Sequence, residues 1–156
     1  MVSLRPMSAD EFVGFATYFI EDYTRDIAAN YRLSDDEALA QAKRELESSL
    51  PAAEKTPGQT LTAIIFAENG TEQHIGYLWY KANIIDKSAY IYDFYLFYKF
   101  RKQGLGSQAM HCLEADLAAS GIKQIKLRVA AENAHAKKVY EANGYQVTGF
   151  NMNKLL

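Results

Sequence analysis

Between residues 89 and 121 the chain writes three units in direct succession, and this run constrains the fold more than any other feature. Ala89–Tyr98 is a dense aromatic and β-branched stretch of the kind that forms a buried strand. Arg101-Lys102-Gln103-Gly104-Leu105-Gly106-Ser107 follows as a polar, glycine-bearing loop. Leu105, Ala109, Leu113 and Leu117 then recur at helical spacing, and Gly121 ends that helix. A strand that feeds a helix through so short a loop lays the helix back across the sheet, which selects an α/β layer architecture.

The flanking sequence fills in that architecture. Residues 2–6 read as a short first strand ending at Pro6. Ser8 and Glu11 form a capping box ahead of Phe12, Phe15, Ala16, Phe19, Tyr23 and Ile27, a helical stripe. Ser34 and Glu37 form a second box, ahead of Leu39, Ala42, Leu46 and Leu50, and Pro51 stops that helix. Leu61–Phe66 and His74–Lys81 are strands joined across Asn69-Gly70, a hairpin turn signal. Gln124–Val129 is a further strand. Asn133 caps a short helix through Ala142, and Gly144 stops it. Tyr145–Phe150 and Met152–Leu156 read as closing strands. No repeat or linker interrupts residues 1–156, so the expectation is one domain with a mixed sheet and helices on its faces.

Composition narrows function by exclusion. The chain has 156 residues and a formal net charge of −2, which argues against a general nucleic-acid binder. No apolar run reaches the roughly 20 residues of a membrane span. The single Cys112 allows neither an internal disulfide nor a cysteine-based zinc site, and it reads as a core residue. His74, His111 and His135 stand at no metal-ligand spacing, so no metal is expected. With no secretory signal in MVSLRPMSAD, the expected compartment is the cytoplasm. Charge is unevenly spread: six Lys/Arg against eleven Asp/Glu in residues 1–60, nine against four in residues 99–156. A basic C-terminal third suits an anionic co-substrate and an acidic N-terminal part a cationic one, although both also read as ordinary solvated surface.

The glycine loop carries the chemistry. Two glycines let backbone N–H groups approach a ligand, the helix start adds partial positive charge, and Arg101 and Lys102 add full charges. That is a phosphate or pyrophosphate cradle, or, with no ligand, a tight strand-to-helix turn. A Walker loop is unlike it, because no Lys stands between Gly106 and Ser107. Gly104-Leu105-Gly106-Ser107-Gln108-Ala109 fits the dinucleotide pattern G-x-G-x-x-A, yet the polar Arg101-Lys102-Gln103 separates it from the strand.

Arg101-x-x-Gly104-x-Gly106 resembles the (R/Q)-x-x-G-x-(G/A) motif of the GNAT superfamily of acetyl-coenzyme A-dependent N-acetyltransferases. Leu127-Arg128-Val129, Asn133, Ala136, Tyr140 and Gly144-Tyr145 resemble that family's second block, and the order of elements along the whole chain is similar. The resemblance implies a mixed, largely antiparallel sheet of about six or seven strands flanked by four helices. It implies acetyl-coenzyme A as co-substrate and a small-molecule or protein amine as acceptor. A non-catalytic acyl-coenzyme A sensor on the same fold is the alternative. C-terminal strands of this kind would also allow pairing in a homodimer.

Residue by residue, the resemblance assigns the pyrophosphate to the backbone of Gln103, Gly104, Leu105, Gly106 and Ser107, supported by Arg101 and Lys102. It lays the pantetheine arm along Leu96, Phe97 and Tyr98 as an added strand, with the N–H near Leu96 as oxyanion donor. It brings Asn133 and Ala136 to the coenzyme arm and makes Tyr140 the acid toward the leaving thiolate. Asp93 is the candidate base or amine anchor, a lone carboxylate inside Tyr90-Ile91-Tyr92-Asp93-Phe94-Tyr95 that burial would penalise without a partner. Relatives with a glutamate three residues earlier, or in the middle of L-x-V, have Tyr90 and Arg128 as counterparts here. Phe15, Tyr18, Phe19 and Tyr23, with Glu21, Asp22 and Asp26, either wall the acceptor pocket or belong to core and solvated surface.

Overall fold

Each strand of the sheet is a hydrogen-bonded neighbour of the next in sequence. The computed structural model, which describes residues 1–156, orders them β1-β2-β3-β4-β5. They are β1 (Val2–Pro6), β2 (Thr60–Glu68), β3 (Thr71–Asn83), β4 (Ser88–Leu96) and β5 (Gln124–Leu127). The first four are antiparallel in turn and β5 joins β4 in parallel. Asn69 and Gly70 both take positive φ, as a two-residue hairpin turn requires.

Four helices cover the sheet: α1 (Ala9–Tyr31), α2 (Asp35–Ser49), α3 (Leu105–Ala119) and α4 (Ala134–Ala142). The capping box at Ser8 and Glu11 forms in full. Ser34 accepts from the Glu37 N–H without the reciprocal bond. Glu11 also takes a bidentate pair of bonds from Arg5 at 2.8 Å, tying β1 to α1, and the pairing holds its carboxyl down at about 2.

Alternation along the strands builds two cores. One face carries Ile64, Leu78 and Ile91 against Leu105, Ala109, Met110, Leu113 and Leu117 of α3. The other carries Leu61, Tyr77 and Trp79 against Phe15, Leu46 and Leu50 of α1 and α2. Phe15 is fully buried, edge-on to Tyr77 and Trp79, an arrangement adding about 0.5–1.5 kcal/mol per pair beyond area burial.

Three expectations are corrected. The sheet has five strands, not six or seven. Tyr145–Phe150 and Met152–Leu156 form no strands. The Tyr145 N–H closes α4 by bonding the Tyr140 carbonyl, and Gly149, Asn151, Asn153 and Lys154 interrupt an exposed tail with poor strand formers. β4 also ends at Leu96, and Tyr98 instead opens a single 3-10 turn, Tyr98–Phe100, whose hydrogen bonds run along the chain.

One irregularity shapes everything that follows. Trp79 pairs with Asp93 and Tyr80 with Ile91, so Tyr92 is a bulge in β4. Ile91 belongs to the α3-side core. Strict alternation would send Asp93 to that side too. The extra residue turns Asp93 to the α1 side, with Tyr95 and Phe97, and returns Phe94 and Leu96 to the α3 side.

Candidate functional site

β5 pairs with β4 only from Ser88 to Ile91. Beyond Ile91 the edge of β4 has no partner strand, and the chain from Arg128 onward leaves the sheet to reach α4. A cleft of about 780 Å³ opens there. β4 lines it through Tyr90–Tyr95, and Leu127–Ala130 line it together with Asn133, Ala136 and Tyr140. α1 and α2 close one end with Tyr18, Phe19, Asp22, Tyr23, Asp26 and Glu45.

The free edge of β4 offers backbone donors. The Phe97 N–H is spent on the Ile75 carbonyl of β3 at 2.8 Å. By strand alternation the N–H groups of Leu96 and Phe94 point the other way, toward the cleft side. Of the three residues expected along the coenzyme arm, Leu96 thus has a free-edge N–H, Phe97 is committed to the sheet, and Tyr98 is an exposed turn residue.

Arg101 links this edge to the loop. Its Nε donates to the Leu96 carbonyl at 2.9 Å, and its guanidinium lies 5.0 Å over the Tyr95 ring, with the group at the cleft lip. Lys102 and Gly104 both adopt left-handed backbone, with φ of 60 and 78. Gly104 is the N-cap of α3 with no side-chain cap, so the first N–H groups of the helix stay open to a ligand. A Cβ on Gly106 would lie 3.4 Å from Leu96 Cδ1, which shows how closely the helix start approaches β4. Leu105 is buried under the loop, Ser107 accepts from Asn143 at 3.2 Å, and Gln103 donates to the Lys99 carbonyl. The loop from Lys102 to Ser107 stands beside the cleft and does not line it.

Asp93 of β4 and Tyr140 of α4 line the same cleft. The expected need of Asp93 for a partner is met by Tyr18, whose hydroxyl lies 2.6 and 2.7 Å from the two carboxylate oxygens. Burial raises the carboxyl to about 7, the Tyr18 hydrogen bond works against that rise, and nearby Asp22 adds to it. Tyr140 is pushed up to about 12 by burial and by the charge of Asp93, and its hydroxyl has no hydrogen-bond partner within the chain. Asn133 Oδ1 caps α4 by accepting from the Ala136 N–H at 3.2 Å.

The residues expected on the acceptor side divide. Tyr18, Phe19, Asp22, Tyr23 and Asp26 line the cleft, whereas Phe15 is core and Glu21 lies outside it. Glu45, Trp79, Tyr92 and His135 line it without having been picked out from the sequence. Trp79 and Tyr92 stack at 4.9 Å because the bulge brings them together, and no local pattern announces that. Cys112 is half-buried on α3 near the Val2 carbonyl, away from the cleft.

A sequence profile of the Acetyltransferase (GNAT) family matches residues 24–145. A Bacillus subtilis protein described as the uncharacterized N-acetyltransferase YycN is 32% identical over 99% of both chains. Its crystal structure superposes with a TM-score of 0.89, at 30% identity over 100% of this chain and 99% of that one. The PaiA N-acetyltransferase of Thermoplasma acidophilum, solved with coenzyme A, shares the fold at a TM-score of 0.67 and 18% identity, over 97% and 93% of the two chains. With an open strand edge, an uncapped helix start and this match across most of its length, the chain belongs to the GNAT family of acetyltransferases and is an acyltransferase of the acetyl-coenzyme A-dependent kind.

Proposed function

We propose that this protein transfers an acetyl group from acetyl-coenzyme A to a primary amine by direct attack within a ternary complex. The observation that carries the reading is that Asp93 and Tyr140 both line one cleft, with the free edge of β4 beside them.

The division of labour follows from the side chains. The amine enters from the α1–α2 end, where Asp93 anchors it and takes the proton it must lose. A carboxylate near 7 is ionised often enough at neutral pH to serve as that base. The Leu96 N–H faces the developing oxyanion of the thioester carbonyl. Tyr140 assists the departing sulfur. Its hydroxyl at about 12 is a weaker acid than a thiol, roughly 8.5. Full proton transfer from it would be uphill, so Tyr140 acts by hydrogen bond to the thiolate. The pyrophosphate sits on the N–H groups opening α3, with Arg101 beside it.

The test is thiol release from acetyl-coenzyme A with a panel of a primary alkylamine, a diamine, lysine and an alanine-initiated peptide. Turnover with one class of amine, lowered about 10²-fold or more in Tyr140→Phe and in Asp93→Asn, is the expected result. Acetyl-coenzyme A affinity by calorimetry should stay within a few-fold in both variants. Binding without turnover on any amine would favour the non-catalytic sensor. Full turnover in either variant would remove that residue from the mechanism.

A further inference from the structure

We infer that Tyr18 is a positioning residue of the transfer reaction, holding the Asp93 carboxylate in the orientation and ionisation in which it can receive the amine proton. The inference rests on the reading of Asp93 as the base. It adds a residue that stands ahead of the matched segment 24–145.

The geometry is that of a clamp. Tyr18 projects from α1, and its single hydroxyl proton is shared between Oδ1 and Oδ2 of Asp93 at 2.6 and 2.7 Å. A carboxylate held at both oxygens cannot rotate freely about its last bond. The ring that carries the hydroxyl is fixed in turn. It stacks on Tyr95 with centroids 3.8 Å apart and planes at 20°, lies parallel to Tyr77 at 5.9 Å, and meets Phe15 edge-on at 6.1 Å. Tyr95 is two residues beyond Asp93 on the same face of β4, so one strand positions both the carboxylate and the ring that steadies its donor.

The hydroxyl also selects the charged form of the acid. No Lys or Arg pairs with Asp93. The charged and titratable groups that line the same cleft are Asp22, Tyr23 and Asp26 from α1, Glu45 from α2, Tyr90, Tyr92 and Tyr95 from β4, His135 and Tyr140 from α4, and Arg101 and Arg128 from the connections between elements. Burial and Asp22 both favour the neutral acid, and the Tyr18 hydrogen bond favours the carboxylate. Tyr18 itself stays protonated throughout, its own ionisation pushed well above the usual phenol range by burial and by Asp93. It is a fixed donor and not a proton carrier.

The test reads Asp93 directly. The protein is labelled with ¹³C at aspartate side-chain carboxyls, the Asp93 resonance is assigned with Asp93→Asn, and its titration is followed in wild type and Tyr18→Phe. Phenylalanine keeps the ring and its stack. The expected result is a midpoint about one pH unit higher in Tyr18→Phe, as loss of a hydrogen bond to a charged group implies. A structural defect that exposed Asp93 to water would move that midpoint the other way, downward, because burial is what raises it. Unchanged titration in Tyr18→Phe overturns the inference. If Tyr18→Phe does not fold, Tyr95→Leu removes the stacking ring while keeping the hydroxyl; a raised midpoint supports the clamp and an unchanged one overturns it. Asp93→Asn is assayed in parallel by thiol release with the amine panel. Loss of turnover there with unchanged titration in Tyr18→Phe leaves the base reading standing without the Tyr18 role. Full turnover in Asp93→Asn removes both.

Discussion

Asp93 is a residue whose ordinary chemistry has been moved by its surroundings, and that gives a measurable consequence. Burial lifts its carboxyl to about 7, so its carboxylate form, the base of the proposed reaction, is increasingly populated as pH rises through that value. With an acceptor bound as the ammonium, kcat/KM for the amine should climb with a limb near pH 7. It should fall again where the free amine deprotonates, roughly pH 10 for a lysine-like acceptor. Tyr140, near 12, adds no limb of its own in the working range. Asp93→Asn should abolish the rising limb as well as most of the rate, and a pH–rate profile checks both. From the sequence, Asp93 stands out as a lone acid in an aromatic run, and Tyr140 stands out only through the resemblance of Asn133, Ala136 and Tyr140 to the family's second block. Their shared cleft is a matter of tertiary structure. Tyr18 is legible only as one aromatic among several on α1, because its partner is 75 positions away.

At the scale of elements, local grammar was readable and register was not. The Ser8 box, the Asn69-Gly70 turn, the α3 stripe and the Asn133 cap each depend on residues a few positions apart, and each appears where the spacing places it. The Tyr92 bulge depends on how β4 registers against β3, so no window of sequence contains it. The shortness of β5 likewise reflects where its pairing with β4 stops, at Ile91, whereas the tail is broken locally by Gly149, Asn151, Asn153 and Lys154. The loop supplies a test at this scale. Gly104 has φ of 78, so Gly104→Ala should cost about 1 kcal/mol, lowering Tm by a few degrees, and should weaken acetyl-coenzyme A binding by disturbing the N–H fan. Gly106→Ala meets only ordinary contact at 3.4 Å within a helix and should melt at or slightly above wild type. Paired melts and calorimetric titrations separate the two glycines.

For the whole molecule, both parts of the uneven charge distribution reach the cleft. The acidic N-terminal 60 residues contribute Asp22, Asp26 and Glu45 to its lining, and the basic last 58 contribute Arg101 and Arg128, the latter close enough to act on Asp26. Coenzyme A carries several phosphate charges, so its affinity should fall as salt shortens the screening length from about 10 Å at 0.1 M to about 3 Å at 1 M. Arg101→Ala should bind acetyl-coenzyme A roughly tenfold more weakly at low salt and show a flatter dependence. Titrations at several ionic strengths give both numbers. No helix is long and apolar enough to cross a membrane.

The bulge at Tyr92 has a further consequence, for how such a protein can change over generations. One inserted residue sends Asp93 to one side of the sheet and leaves Phe94 and Leu96 on the other. On the proposed reaction, the strand then presents one face to the helices at the acceptor end and its open edge to the donor. Substitutions on α1 and α2 can redraw the acceptor's surroundings without touching the loop at Gln103–Ser107. New amines become reachable by drift in one half of the chain while the acetyl donor is kept by the other.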